Sequence, residues 1–215
     1  EANAAYFEPV GLWRRPYCYP RKGESHGQAV QREVLNTREK LGLLDASTLG
    51  KIIVKGPDAG RFLDMLYTNM MSNLGIGKCR YGLMCNEQGF LSDDGVVARI
   101  HGWMEDWLQC EWWDWKVYTA NVTEQYAQAA VVGPNARKLL EKIGGLDVSK
   151  EALPFMQWTA GKLGGISARV FRISFSGELS YEIAVPASHG AALWEMLHRE
   201  GAEFGAMAYG TEALH

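Results

Sequence analysis

The sequence predicts an α+β fold with antiparallel sheets and packed helices, assembled from two related units. Three features predict it: a strand, turn and helix pattern that occurs twice, a hairpin between the two occurrences, and a strand pair leading into a helix near the end.

The first occurrence is GKIIVKGPDAGRFLDMLYTN, residues 50 to 69, which reads as a short strand, a Gly56-Pro57 turn and a helix whose start is marked by Asp58. The second is AQAAVVGPNARKLLEKIGG, residues 127 to 145, with Gly133-Pro134 as the turn, Asn135 as the capping residue and Gly144-Gly145 ending the helix. Gly-Pro is a common turn by itself, but strand, turn, cap and helix signals agree in order, which favours an internal duplication. The boundary is expected near residue 150, with 1–150 as the first unit and 151–215 as the second.

Upstream, HGQAVQREVLNTREKLGLLDAS spaces Val30, Val34, Leu41 and Leu44 among charges, so an amphipathic helix is expected through about residue 40, with Gly42 as terminator. Between the repeats, KCRYGLMCNEQGFLSDDGVVARI places the turn NEQG between two extended runs, the pattern of a hairpin. Near the end, ARVFRIS and YEIAV flank a Gly-bearing turn, and a helix follows Pro186 with Leu193, Met196 and Leu197 on one side.

Composition bounds the function. With 215 residues, 24.0 kDa, 47% hydrophobic and 22% charged residues, the chain is long enough for a substantial core. No apolar run could span a bilayer, so no membrane partner is expected. The net charge of -3 and pI near 6.0 offer no basic field for nucleic acid, and a small molecule is the better partner. The first twenty residues lack a secretion signal, which leaves the cytoplasm as the default compartment. Cys18, Cys79, Cys85 and Cys110 show no CxxC and no His at ligand spacing, so neither a disulfide nor a metal site is expected. The five histidines, His26, His101, His189, His198 and His215, share no motif and read as packing or solvated residues. Trp112, Trp113 and Trp115 cluster in EWWDWKVY and read as core or interface ahead of a stacking platform.

Two acids stand out by position. In YEIAV, Tyr181, Ile183 and Val185 share one strand face, so Glu182 points the other way beside the small Ser180 and Ala184. Small neighbours leave room for a ligand, although a solvated outer face gives the same alternation. Asp93 and Asp94 are adjacent, so in a strand only one could enter a given pocket; spacing alone favours reading both as turn residues. No GxSxG, GxGxxG with a downstream acid, Walker loop or HExxH occurs.

Taken in order, LLDASTLGKIIVKGPDA, YTN, RYGLMCNEQGFLSDDGVV, VVGPNARKLL, FRISFSGELSYEIAVP and YGTEALH resemble the folate-binding fold of the aminomethyltransferase family, which includes the tetrahydrofolate-dependent component of glycine cleavage. Within it, LLDASTLGK, RYGLMC, ARVFRISFSGELSYE and YGTEALH are most similar to the C-terminal half of the α subunits of heterotetrameric sarcosine oxidases. The resemblance implies tetrahydrofolate as cofactor. It places the family's catalytic aspartate on Asp93 and its pterin-recognising glutamate on Glu182, with Tyr81 and Asn69 at further cavity-lining, cofactor-binding positions. It also implies capture of the oxidised methyl of sarcosine as 5,10-methylenetetrahydrofolate, with β, γ and δ oxidase subunits as partners. FAD, FMN and NAD would be held by parts of the complex outside this chain. A free-standing aminomethyltransferase of the glycine cleavage type, or a non-catalytic folate-binding assembly module, are the alternatives.

The chemistry is coherent with those positions. A pterin presents a ring N–H and an exocyclic amine side by side, and one ionised carboxylate accepts both. Addition of a one-carbon unit to folate passes through cationic nitrogen, which a second carboxylate stabilises while moving a proton. Two departures are visible: relatives carry further sequence where Ile100 here runs directly into His101, and the chain stops at YGTEALH, before the family's C-terminal β domain.

Overall fold

The computed structural model describes residues 4–94 and 114–214. The chain divides into two compact units, Glu1–Thr48 with Tyr126–His215, and Leu49–Gln125.

The first unit opens with a hairpin, β1 (Tyr6–Val10) and β2 (Trp13–Cys18), and then α1 (His26–Glu39). Ser25 starts α1 with a reciprocal capping box: Gln28 N–H donates to Ser25 Oγ at 3.3 Å, and Ser25 N–H donates to Gln28 Oε1 at 2.9 Å. The helix stops at Glu39, and Leu41, Gly42 and Leu44 belong instead to β3 (Leu41–Asp45). The expected seam of Val30 and Val34 is also displaced, since the buried residues of α1 are Ala29, Glu33 and Thr37. Tertiary pairing explains the difference: the apolar run after Lys40 is drawn between two other strands. Gly42 serves there as a point of close approach, because a Cβ would sit 2.4 Å from Thr37 Oγ1 and 2.8 Å from the Tyr209 ring.

Six strands form the main sheet of this unit: β3, β8 (Tyr126–Val132), β9 (Gln157–Leu163), β10 (Ile166–Arg172), β11 (Ser180–Pro186) and β12 (Ala206–Ala208). Their order is β12-β3-β8-β11-β10-β9, antiparallel except for the parallel β12 and β3. Two helices, α3 (Ala136–Ile143) and α4 (Gly190–Gly201), cover one face. Leu139, Leu140, Leu193 and Leu197 bury there against Leu43, Val131, Tyr181 and Ile183. Each fully buried aliphatic side chain contributes about 1.5–3 kcal/mol, which makes this face the principal core. A second cluster of Leu44, Ala130, Val132 and Tyr209 lies on the opposite face.

The second unit contains β4 (Ile52–Lys55), α2 (Ala59–Leu66), β5 (Met84–Cys85), β6 (Leu91–Asp93) and β7 (Tyr118–Asn121). Strands β4 and β7 pair antiparallel, and so do β5 and β6. Phe62, Leu66, Met84 and Val117 make its small core, with Trp115 packed against it and the Arg61 guanidinium 4.1 Å from the Trp115 ring centre. Trp112 and Trp113 lie outside the described residues, as do Cys110, His101, His215 and the Ile100–His101 junction.

The duplicated pattern places one copy in each unit: β4 and α2 in the second, β8 and α3 in the first. Neither Asp58 nor Asn135 caps its helix through its side chain, contrary to the sequence expectation. Asp58 instead accepts from Lys116 N–H at 2.9 Å, and Asn135 Oδ1 accepts from Lys138 Nζ at 3.1 Å. The division of the chain also differs from a cut near residue 150. Strand β8 pairs along its length with β11, so 126–132 and 180–186 belong to one sheet.

Candidate functional site

Glu182 sits in β11 opposite Ala130 of β8, on the face away from α3 and α4. Tyr181, Ile183 and Val185 are fully buried on the helix-covered side, as the alternation of YEIAV requires. On the side of Glu182, Ser180 and Ala184 are also buried while Glu182 is partly exposed. The carboxylate therefore does not stand on a uniformly solvated face. It accepts a hydrogen bond from Gln128 Nε2, two positions along β8 from Ala130. Tyr209 is buried close by: burial pushes its phenol well above the usual range, and the charge of Glu182 adds to that shift.

Gln128 is itself tied down. Its carbonyl accepts from Ala46 N–H at 2.9 Å and from Ser47 Oγ at 3.3 Å, and its N–H donates to Ser47 Oγ at 3.1 Å. Ser47 N–H in turn donates to Asp45 Oδ1 at 3.0 Å. The segment Asp45-Ala46-Ser47 thus fixes the backbone from which Gln128 reaches Glu182.

Asn69, Tyr81 and Asp93 belong to the second unit. Three neighbouring links gather their segments. Thr68 N–H donates to Leu83 O at 2.9 Å, Met84 of β5 pairs with Asp93 of β6, and the Tyr81 hydroxyl donates to Asp94 Oδ2 at 2.8 Å. The hairpin that positions Asp93 turns at NEQG, where Asn86 Oδ1 accepts from Gln88 N–H at 3.1 Å and from Phe90 N–H at 2.9 Å. Asn69 Oδ1 accepts from Thr68 Oγ1 at 3.1 Å. The phenol of Tyr81 is held above its usual range because Asp94 accepts its hydrogen bond. Asp94 thus anchors the tyrosine that the family resemblance implies at the cavity.

A cleft of about 350 Å³ opens in the first unit between Tyr19, Asp45, Ser47, Gln128, Leu193 and Trp194, so it shares three residues with the network that holds Glu182. Glu182 is not among the described residues that line it.

Sequence reasoning missed Gln128, Ser47 and Tyr209. A faint signal was present for the first, a lone polar residue within the apolar strand run YAQAAVV. Ser47 and Tyr209 lay inside quoted motifs without an assigned role.

Comparison with known proteins decides the family, because the family profile described as the GCVT N-terminal domain matches residues 1–215. The chain belongs to the GCVT N-terminal domain family. It is 46% identical over 233 aligned positions to the sarcosine oxidase subunit alpha of Corynebacterium sp. (strain U-96), covering 100% of this chain and 24% of that protein. It is 41% identical to the corresponding subunit of Rhizobium meliloti (strain 1021), covering 99% of this chain and 24% of that one. An aminomethyltransferase of Oceanobacillus iheyensis is 33% identical over 80% of this chain and 51% of its own length. The chain thus spans about a quarter of the length of its sarcosine oxidase relatives.

Among solved structures, the glycine cleavage system aminomethyltransferase T of Bartonella henselae superposes with a TM-score of 0.79 at 24% identity, covering 99% of this chain and 58% of that one. A chain of the heterotetrameric sarcosine oxidase of Corynebacterium sp. U-96, solved with pyrrole 2-carboxylate, gives 0.56 at 14% identity over 87% of this chain and 98% of that chain. At these identities the likeness establishes the fold of the GCVT N-terminal domain family, the α+β architecture that the sequence predicted.

Proposed function

We propose that this chain binds tetrahydrofolate and forms the one-carbon-transfer part of a sarcosine-oxidising complex, capturing the oxidised methyl of sarcosine as 5,10-methylenetetrahydrofolate. The observation that carries the reading is the setting of Glu182: a partly exposed carboxylate between buried small residues, held by Gln128 on the sheet face away from α3 and α4. A carboxylate has about four acceptor directions, so it can hold a glutamine amide and a pair of ligand N–H groups together. The ring N–H and amine of a pterin are such a pair. Similarity over 99–100% of this chain, and 24% of the relatives' length, to sarcosine oxidase α subunits at 41–46% identity supports this donor chemistry over the 33% relation to an aminomethyltransferase.

In this reading Asp93 is the acid-base group, stabilising cationic nitrogen and accepting its proton as the one-carbon bridge closes. Asn69 and Tyr81 bind the cofactor near it. Tetrahydrofolate supplies the nucleophilic nitrogens. FAD, FMN and NAD belong to parts of the assembly outside this chain, with β, γ and δ subunits as partners in the cytoplasm. Among the described residues no helix is long and apolar enough to cross a membrane.

The test is a tetrahydrofolate titration of the full chain beside Asp93→Asn and Glu182→Gln, with methylene transfer measured in the assembled complex. Glu182→Gln is expected to weaken binding about tenfold, the value of a lost charge-assisted hydrogen bond. Asp93→Asn is expected to bind nearly as well as the parent and to lose methylene transfer. Absence of tetrahydrofolate binding by the parent chain overturns the proposal.

A further inference from the structure

We infer that Gln128 is a positioning residue for ligand recognition, fixing the orientation of the Glu182 carboxylate through its side-chain amide. The inference rests on the reading of Glu182 as the pterin-gripping acid and adds a residue to that site.

The argument begins with freedom. A glutamate has three side-chain torsions, and one that is partly exposed samples several rotamers unless something holds its head group. Two parallel N–H donors can be accepted together only when both carboxylate oxygens lie near the plane of those donors. Gln128 Nε2 donates to Glu182 Oε2 and selects among those rotamers. An exposed glutamine would be a poor anchor. Gln128 is partly buried, however, and its backbone is gripped on both polar atoms by Ala46 and Ser47. Its strand also pairs directly with the strand of Glu182. The two side chains come from 54 residues apart in sequence and meet on one sheet face.

The chemistry of the pair fixes its direction. A glutamine amide nitrogen is a donor only, so Gln128 occupies one acceptor position on Glu182 Oε2, brings no charge of its own and leaves the remaining acceptor positions for the ligand. A leucine at 128 would fill similar volume without a donor, and a glutamate would set a second negative charge against Glu182. Binding should therefore weaken in the order Gln, Leu, Glu at this position.

The experiment compares tetrahydrofolate with an analogue lacking the pterin 2-amino group, titrated against the parent chain, Gln128→Leu, Gln128→Glu and Glu182→Gln. The parent is expected to prefer tetrahydrofolate by about tenfold, the worth of one charge-assisted hydrogen bond. Gln128→Leu should bind tetrahydrofolate several-fold more weakly and lose most of that preference, with Gln128→Glu losing more. A merely structural role would weaken both ligands equally and leave their ratio unchanged, which overturns the inference. It is also overturned if Glu182→Gln weakens binding while both Gln128 variants bind both ligands like the parent; the reading of Glu182 then stands alone. If Glu182→Gln itself changes neither affinity nor preference, the underlying reading of Glu182 has failed. Thermal unfolding of each variant with and without ligand identifies a variant that is unfolded at the titration temperature, and Gln128→Glu, which keeps the side-chain length, then carries the comparison.

Discussion

Asp58 and Asn135 begin their helices in one backbone conformation, φ -94° and ψ 3° at the first, φ -94° and ψ 1° at the second. Each follows Gly-Pro, and the glycines agree as well, with φ of 129° at Gly56 and 120° at Gly133. The agreement extends to hydrogen bonding. Ala59 N–H donates to Gly56 O at 3.1 Å and Ala136 N–H donates to Gly133 O at 3.0 Å. Two copies of one turn are thus preserved in geometry although only the Gly-Pro and Ala positions match between GPDA and GPNA.

Both glycines should resist substitution. A Cβ on Gly56 would lie 1.9 Å from Lys116 O, and one on Gly133 would lie 2.4 Å from Thr37 O. Positive φ adds strain, so Gly133→Ala is expected to lower stability by roughly 1–3 kcal/mol, and Gly56→Ala by a similar amount. Urea denaturation measures both; a loss under about 0.5 kcal/mol at Gly133 would contradict the turn geometry.

Glu24 and Arg32 give a pH-dependent prediction. Arg32 Nε donates to Glu24 Oε1 at 3.0 Å and Nη2 donates to Oε2 at 2.9 Å, a fork on a carboxylate. The Arg32 hydrogen bonds, helped by Arg21 N–H, bring Glu24 from 4.5 down to about 2. A depressed carboxylate contributes stability above its unfolded value and loses it as pH falls through the folded one. The melting temperature of the parent should exceed that of Glu24→Gln at neutral pH and converge with it between about pH 4.5 and 2. A difference that stays constant through that window would refute the assignment.

Glu33 is a fully buried acid on α1 whose two oxygens serve different backbone groups. Oε1 accepts from Tyr19 N–H at 2.7 Å and Oε2 from Gly210 N–H at 2.9 Å. Burial pushes the carboxyl above the usual range, partly offset by these two donors and Arg32. Glu33→Gln keeps one acceptor and turns an NH2 group toward the other N–H, so a loss of about 1–3 kcal/mol is expected by denaturation at neutral pH. A variant as stable as the parent would mean that the charge, once removed, frees as much desolvation cost as the bonds contribute.

Tyr181 tests the core beneath the candidate site. Its hydroxyl accepts from Arg137 Nε at 2.8 Å and donates to Val148 O at 3.4 Å, in a fully buried position. Tyr181→Phe should cost about 1–2 kcal/mol, since it strips partners from buried polar groups without leaving a large cavity. Calorimetric unfolding of the variant checks the value, and an unchanged melting temperature would exclude a structural role for the hydroxyl.

Local signals in the sequence determined much of this protein. Two strand-like runs about a Gly-bearing turn marked β10 and β11, period-two alternation set the faces of β11, apolar spacing after Pro186 marked the buried Leu193, Met196 and Leu197, and NEQG marked the hairpin that leads to Asp93. The face of Glu182 was legible because alternation needs no knowledge of distant neighbours. Tertiary structure alone decided that Leu41–Asp45 is a strand, since its apolar residues suit a helix equally until β8 and β12 flank it. It alone decided that 126–132 and 180–186 share one unit, and that Gln128 meets Glu182. The reason is physical: periodicity reports which way a side chain points along its own element, whereas a hydrogen bond across strands depends on which distant segments pair and in what register.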